Sequence, residues 1–98
     1  MRDDDLLIGT LLEESWLTLE QLAAACQVEP DWLLHHIDDG FFPDVQQMTG
    51  IWRFSANMVL RARRMRQLER DFDAVPELAA LVADMLEEMD AMRERLGR

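Results

Sequence analysis

Lysine and tyrosine are missing from this 98-residue chain, and cysteine, glycine and proline are scarce, with 1, 4 and 3 copies. A single cysteine cannot form an internal disulfide. So few glycines and prolines argue against a loop-rich or sandwich fold. The apolar runs are too short to span a bilayer, and the acidic opening MRDDD is unlike a secretory signal. We therefore expect a cytoplasmic protein with one domain over residues 1–98.

Charge is distributed very unevenly along the chain. Residues 1–50 hold eleven acidic residues and one base, Arg2, whereas residues 51–98 hold nine acids and nine arginines. The whole net charge of −10 therefore lies in the first half. An acidic half of this kind repels a phosphate backbone and attracts a basic partner.

The first predicted helix has a clear start signal. Thr18 and Gln21 form a capping box, and the apolar positions that follow recur at helical spacing as far as Cys26 or Gln27, where the helix should end. The apolar run 6–16 before it fits either a short strand or a helical turn, and we favour the strand. Residues 1–15 are otherwise unassigned.

A second short helix should begin at Pro30, which suits the first helical position because its missing N–H is not needed there. Gly40 is a natural C-terminal cap. Two short helices about three residues apart are typical of a helix-turn-helix. The apolar side of the second helix is predicted to comprise Trp32, Leu33, Leu34 and Ile37.

A β-hairpin should follow the helix-turn-helix. Thr49-Gly50 is a turn signal, and the aromatic and β-branched residues after it favour a strand. Strand alternation predicts that Trp52 and Phe54 face the core while Arg53 points outward. The hairpin would be the wing of a winged helix-turn-helix.

Two longer helices complete the prediction. Ser55 caps the first, and Pro76 starts the last, which should end at Gly97. The first keeps most of its apolar residues on one face: Met58, Val59, Ala62, Met65, Leu68 and Phe72. The fold class is thus mainly α, a winged helix-turn-helix core over residues 16–75 with a small β-hairpin wing and a long C-terminal helix over 76–97.

The last helix carries the a/d stripe of a coiled coil, with apolar residues at alternating spacings of 4 and 3. The stripe consists of Leu78, Val82, Met85, Met89, Met92 and Leu96. We expect part of it to pack on the winged-helix body and the methionine-rich distal part to pair with a second copy in a two-fold homodimer. The alternative is a helix folded wholly back on its own domain, since under three heptads is short for a coiled coil.

Catalytic and metal-binding patterns find little support. His35 and His36 are adjacent, so on a helix they point about 100° apart and cannot share a metal ion. Cys26 has no second cysteine for a zinc site, and a buried small residue is the better interpretation. We predict a protein that is not an enzyme and has no cofactor and no metal.

The second helix is acidic where a DNA-reading helix would carry bases. No Lys or Arg occurs between Asp3 and Ile51, so groove entry would set this helix against two phosphate strands. A protein-binding module is the better hypothesis, with an acidic face that steers toward a basic partner. The alternative is a solvated face that only keeps the protein soluble. The candidate binding residues are Glu29, Asp31, His35, Asp38 and Asp39.

Six arginines cluster between residues 53 and 70, and Arg63, Arg66 and Arg70 fall on one side of a helix. They could contact a phosphate or an acidic surface. They could also pair within the chain with surplus acids such as Glu69 and Asp71, and we favour this second interpretation.

In order and spacing the chain resembles the CbpM chaperone-modulator family over residues 16–96. The resemblance rests on Phe-Phe-Pro-Asp at 41–44, Trp-Arg-Phe at 52–54, the Leu-Arg-Ala-Arg-Arg segment at 60–64 with Asp-Phe beyond it at 71–72, and a final long helix striped with Leu and Met. It implies a MerR-like winged-helix fold.

The resemblance also implies a partner. Members of that family bind the J-domain of a DnaJ-like co-chaperone of the CbpA type and inhibit its activity, and an acidic modulator could cover the basic helix that a J-domain presents. We therefore predict that the chain binds a J-domain in preference to DNA and does not bind a membrane. The alternative is a MerR-like transcription regulator that uses the wing with Arg63, Arg66 and Arg70 on DNA.

Overall fold

The structure, a computed structural model, describes residues 16–97. It is mainly helical, with a small three-stranded antiparallel sheet and a long C-terminal helix, as the predicted winged-helix class requires. The elements in chain order are β1 (Leu17–Thr18), α1 (Leu19–Cys26), α2 (Pro30–Asp38), β2 (Gln46–Met48), β3 (Ile51–Arg53), α3 (Ala56–Phe72) and α4 (Pro76–Leu96).

The sequence signals at the ends of α1 act as predicted. The Thr18 hydroxyl accepts from the Gln21 backbone N–H at 3.1 Å, and the Thr18 N–H donates to the Gln21 side-chain oxygen at 3.0 Å. Gln27 ends the helix in the left-handed region, with φ 60°. Most of the run 6–16, including its predicted strand, lies outside the described residues, and Trp16 is in no regular element.

Helix α2 has the predicted bounds. Pro30 occupies its first turn, and Gly40, with φ 87°, follows the C-terminal cap residue Asp39. The Gly40 N–H donates to the Ile37 carbonyl at 3.0 Å. A residue with a Cβ would be strained at this φ, so glycine is what allows the chain to leave the helix here. Helices α1 and α2 contact each other and form the helix-turn-helix.

The hairpin forms as predicted, with β3 as the central strand of the sheet order β1-β3-β2. Its two-residue turn has φ 46° at Thr49 and φ 81° at Gly50, the primed geometry that matches strand twist. Trp52 is buried and Arg53 is exposed, as alternation predicts. Phe54 is only half-buried, which corrects the prediction that it faces the core. Since β3 ends at Arg53, the strand alternation does not extend to Phe54.

The chain divides into two compact units, with the boundary between Arg63 and Arg64. In the first unit, α1 contacts α2, β1 and β3. Its buried apolar side chains come from all of these elements, the following loop and the start of α3: Leu17, Leu22, Ala23, Cys26, Leu33, Phe42, Trp52, Met58, Val59 and Ala62. This core fixes the orientation of α2, because Leu33 is fully buried in it.

Helix α3 begins as predicted, with the Met58 N–H donating to the Ser55 hydroxyl at 3.2 Å. Its predicted apolar face is buried as far as Met65, but Leu68 is half-buried and Phe72 is exposed. Phe72 is the last residue of the helix and precedes a left-handed Asp73, so the chain turns away before its ring is covered. Burial of the predicted face therefore decreases over the last two turns of α3.

Helix α4 buries a different face from the one predicted. Its buried residues are Ala79, Ala80 and Ala83. The stripe is exposed along its length except for a half-buried Val82. At 3.6 residues per turn the two faces lie roughly 140° apart. In the same unit, Arg64 of α3 pairs with Asp90 of α4 at 2.8 Å.

Candidate functional site

Helix α2 presents one continuous exposed face. Asp31, Leu34, His35 and Asp38 occur at i, i+3, i+4 and i+7, which places them on one side of the helix. All four are exposed, whereas Leu33 and His36 on the other side are buried. The helix is thus anchored through one side and presents the other to solvent. We call these four residues the α2 face.

The structure brings three of the predicted binding residues together and sets two apart. Asp31, His35 and Asp38 belong to the α2 face, while Glu29 and Asp39 are the residues that cap its two ends. All five are exposed. Together they supply four carboxylates over a helix about 14 Å long at 1.5 Å per residue. The predicted surface is therefore a narrow acidic ridge with acidic ends.

The field of the helix strengthens this negative potential at one end. Asp38 and Asp39 lie at the C-terminus of α2, where the backbone carbonyls already carry about half a negative charge. A carboxylate here is unfavourable for the helix itself, and a cation would be favourable. Among the residues that the structure describes, there is no ion pair to Asp38 or Asp39, and none to Asp31. The C-terminal end of α2 is therefore well suited to receive a cation from a partner.

The two adjacent histidines have different environments. The exposed His35 donates from Nδ1 to the Asp31 carbonyl at 2.9 Å. His36 is buried, donates from Nδ1 to the Trp32 carbonyl at 2.8 Å, and stacks on the Trp32 ring at a centroid distance of 3.9 Å. His36 is thus a core residue, consistent with the prediction that the pair cannot share a metal ion. Within residues 16–97, no group of three or more acidic, histidine or cysteine side chains is arranged to hold a metal.

The cysteine is a buried packing residue. Burial raises the pKa of the Cys26 thiol to about 12, against a smaller opposing effect of the Arg63 charge. The thiolate is the reactive form, so a shift from 9.0 to about 12 reduces its fraction roughly a thousandfold at neutral pH. This environment favours the predicted structural role.

Cys26 should therefore react very slowly with a disulfide reagent such as DTNB while the protein is folded. We expect a rate at pH 8 roughly a thousandfold below that of the same chain in guanidinium chloride, from thiolate fraction alone. Stopped-flow absorbance measures both rates. Equal rates in the two conditions would show that the thiol is accessible and would contradict a core role.

The arginine cluster is largely engaged within the chain. The Arg61 Nε donates to the Phe41 carbonyl at 2.8 Å, and the Arg63 guanidinium donates to the Ala25 carbonyl at 2.9 Å. Arg63 therefore places a cation near the C-terminus of α1, where the helix dipole favours one. Arg63 is thus engaged within the chain, but its acceptor is a backbone carbonyl and not one of the acids with which pairing was predicted. Arg70 is exposed, and its Nε lies 4.0 Å from the Asp71 Oδ1.

Leu34 is the residue of the α2 face that the sequence pattern placed wrongly. It was expected on the apolar side of the helix with Leu33 and Ile37, yet it is 37% exposed. The physical reason is the width of the buried side: at 100° per residue Leu34 lies about 100° beyond Leu33, next to Asp31 and Asp38. The sequence did contain a signal for this exposure, because Leu34 has acidic neighbours at i−3 and i+4 on the same side of the helix.

Residues 17–98 match the model of a family described as MerR HTH family regulatory protein. The chain belongs to this family. The match covers the helix-turn-helix, the wing and both long helices. No curated protein and no solved structure matches the chain. Over the part of this MerR-family chain that the structure describes, no helix is long and apolar enough to cross a bilayer.

Proposed function

We propose that this MerR-family chain is a chaperone modulator: a cytoplasmic binding protein, without catalytic activity, that binds the J-domain of a CbpA-type, DnaJ-like co-chaperone and inhibits it. The observation that carries the proposal is the α2 face. This helix holds the position that reads DNA in a helix-turn-helix, yet it carries carboxylates and no Lys or Arg. Its charge therefore favours a basic protein surface.

Inhibition would follow from competition for one surface. The resemblance to the CbpM family implies that the target is a J-domain, whose basic helix binds the heat-shock ATPase partner. A ridge of carboxylates laid on that helix would neutralise its charge and exclude the ATPase. Binding of this kind needs no cofactor.

The alternative is DNA binding, which membership of the MerR family and the exposed Arg53 and Arg70 support. The two functions differ in the ligand that each requires. A DNA-binding protein should retain duplex DNA at low salt, with an affinity that falls steeply as salt rises. Fluorescence anisotropy with a labelled duplex, run beside the J-domain, distinguishes them. Duplex binding without J-domain binding would overturn the proposal.

Charge reversal at the end of α2 should weaken J-domain binding. We expect Asp38→Lys/Asp39→Lys to lower the association rate constant by about tenfold and to remove most of its salt dependence, because peripheral charges act mainly on encounter. Stopped-flow or surface plasmon resonance measures the rate constants.

The matched control is Glu77→Lys/Glu88→Lys. Both residues are exposed on α4, and the total charge change is the same. This control should associate at close to the wild-type rate, which separates the local field of α2 from net charge. Equal affinity of the Asp38/Asp39 variant and the wild type by calorimetry, with unchanged circular dichroism, would contradict the assignment of this surface.

We also propose that the chain is a two-fold homodimer through α4. Its exposed stripe is flanked by a further exposed leucine, Leu81, so the apolar surface is wider than a strict a/d seam. An exposed apolar patch of this extent is unusual on a monomer and is typical of an interface. A second copy offers the same stripe, so the contact is self-complementary.

A further inference from the structure

Leu34 is an aliphatic side chain in the middle of an acidic surface. It lies one turn from Asp31 on one side and from Asp38 on the other, and His35 follows it on the same face. It is 37% exposed, although it belongs to a helix that buries its neighbour Leu33 completely. The α2 face is thus not uniformly polar, since it combines carboxylates with one apolar contact point.

Packing within the first unit covers only part of this residue and leaves 37% of it exposed. The buried side of α2 is supplied by Leu33 and His36, with Trp32 stacked on His36 and tilted against Phe42 at 6.4 Å between ring centroids. The exposed part of the Leu34 side chain lies outside this packing. An exposed aliphatic group between carboxylates instead suits a contact that becomes buried only when a partner binds.

The spacing on the face indicates the shape of that partner. Asp31 and Asp38 are seven residues apart, about 10.5 Å along the helix axis at 1.5 Å per residue. Two turns of a partner helix place cations at i and i+7 at nearly the same spacing, with an i+3 or i+4 side chain between them. A helix with this pattern would set an apolar side chain on Leu34 and a cation on each carboxylate.

We propose that Leu34 is the apolar anchor of the α2 face, and that the segment it receives is a basic amphipathic helix with an aliphatic or aromatic residue between two Lys or Arg residues. The inference rests on the proposed function, because it specifies the chemistry recognised by the same surface. The carboxylates raise the association rate and align the partner helix on the surface. Leu34 slows dissociation, because its side chain becomes buried in the complex. Leu34 is thus the specificity-determining residue for the apolar position of the partner.

The test compares Leu34→Ala with Leu60→Ala for binding to the J-domain. Leu60 is a matched control because it is also an exposed leucine on a helix, at 42%, but it lies on α3. We expect Leu34→Ala to weaken affinity roughly tenfold, mainly through faster dissociation, as for truncation of an interface anchor. Leu60→Ala should match the wild type. Leu34→Met, which keeps most of the volume, should recover most of the affinity.

A second probe makes the result independent of the J-domain. It is a pair of synthetic helical peptides with identical Lys positions, one with a Leu between the cations and one with Ala there. The wild type should bind the Leu peptide more tightly, and Leu34→Ala should remove that preference while retaining the charge-driven binding common to both. Anisotropy of the labelled peptides measures each affinity, and circular dichroism checks that each variant is folded.

The outcomes separate the two proposals. If the wild type binds the J-domain and Leu34→Ala binds it equally well while Asp38→Lys/Asp39→Lys binds weakly, the anchor is wrong and the proposed function stands. If the wild type does not bind the J-domain but binds the Leu peptide more tightly than the Ala peptide, and Leu34→Ala removes this difference, the proposed function is wrong and Leu34 contacts another basic helix. Equal binding of both peptides by the wild type would overturn the anchor.

Discussion

Replacing Trp52 with Ala should lower the free energy of unfolding by about 3–5 kcal/mol, the range for truncating a buried aromatic residue. Trp52 is 6% exposed and sits in the central strand of the sheet. Its register places it opposite Leu17 on one side and Gln47 on the other. Loss of the indole would leave a cavity beside both flanking strands, because the short strands offer little backbone that can move in to fill it.

Urea unfolding followed by far-UV circular dichroism measures the effect, since the helices report unfolding without the lost tryptophan signal. Met48→Ala is the control. Met48 is 58% exposed on the edge strand β2 of the same sheet, so its truncation should change the free energy of unfolding by about 0.5 kcal/mol or less. A midpoint for Trp52→Ala that barely moves would show that the indole packs poorly, and its role would then have to be sought in binding.

Replacing Met89 with Glu should dissociate the proposed homodimer. Met89 is the fourth residue of the stripe and is 44% exposed in the single chain. In a two-fold coiled coil it would meet the stripe of the other copy, and the substitution would bury a carboxylate of each copy in an apolar seam. The cost of burying an unpaired charge is several kcal/mol, enough to lower the association constant by a factor of about 10³.

Sedimentation equilibrium at micromolar concentration measures the mass of each species. Ala91→Glu is the matched control, because it adds the same charge two residues away at an exposed position roughly 140° from the centre of the stripe. It should remain dimeric while Met89→Glu is monomeric. A wild type that stays monomeric in this range would exclude the dimer and leave a one-to-one complex with the partner.

The sequence by itself determined the ends of the helices and the turn of the wing. The capping box of Thr18 and Gln21, the prolines at the first turns of α2 and α4, and the Thr49-Gly50 turn all act where they were predicted. These signals are local: each satisfies backbone groups or fixes dihedral angles within four residues, so neighbouring residues suffice to specify it. The acidity of α2 could equally be predicted from the sequence, because the number of charged residues in a segment does not depend on how the chain folds.

Only the tertiary structure decided which side of α4 is buried and where the buried side of α2 ends. Apolar periodicity marks the residues that prefer to avoid water, but the partner surface chooses among them. In α4 the alanines Ala79, Ala80 and Ala83 are buried while the larger Leu and Met residues of the stripe remain exposed. Small side chains allow close packing, and helix propensity gives no sign that this face would be chosen.

The same reasoning applies to the candidate site. His36 is inside and Leu34 is outside, the reverse of what their polarity suggests, because α2 is oriented by the burial of Leu33 and by the contacts of its two rings with Phe41 and Phe42. Arg63 finds its acceptor at the carbonyl of Ala25, 38 residues earlier in the chain. Contacts across such a separation depend on how the helices pack, which no local pattern encodes. The charge of the α2 face was thus determined by the sequence, whereas the exposure of Leu34 on that face was determined by packing.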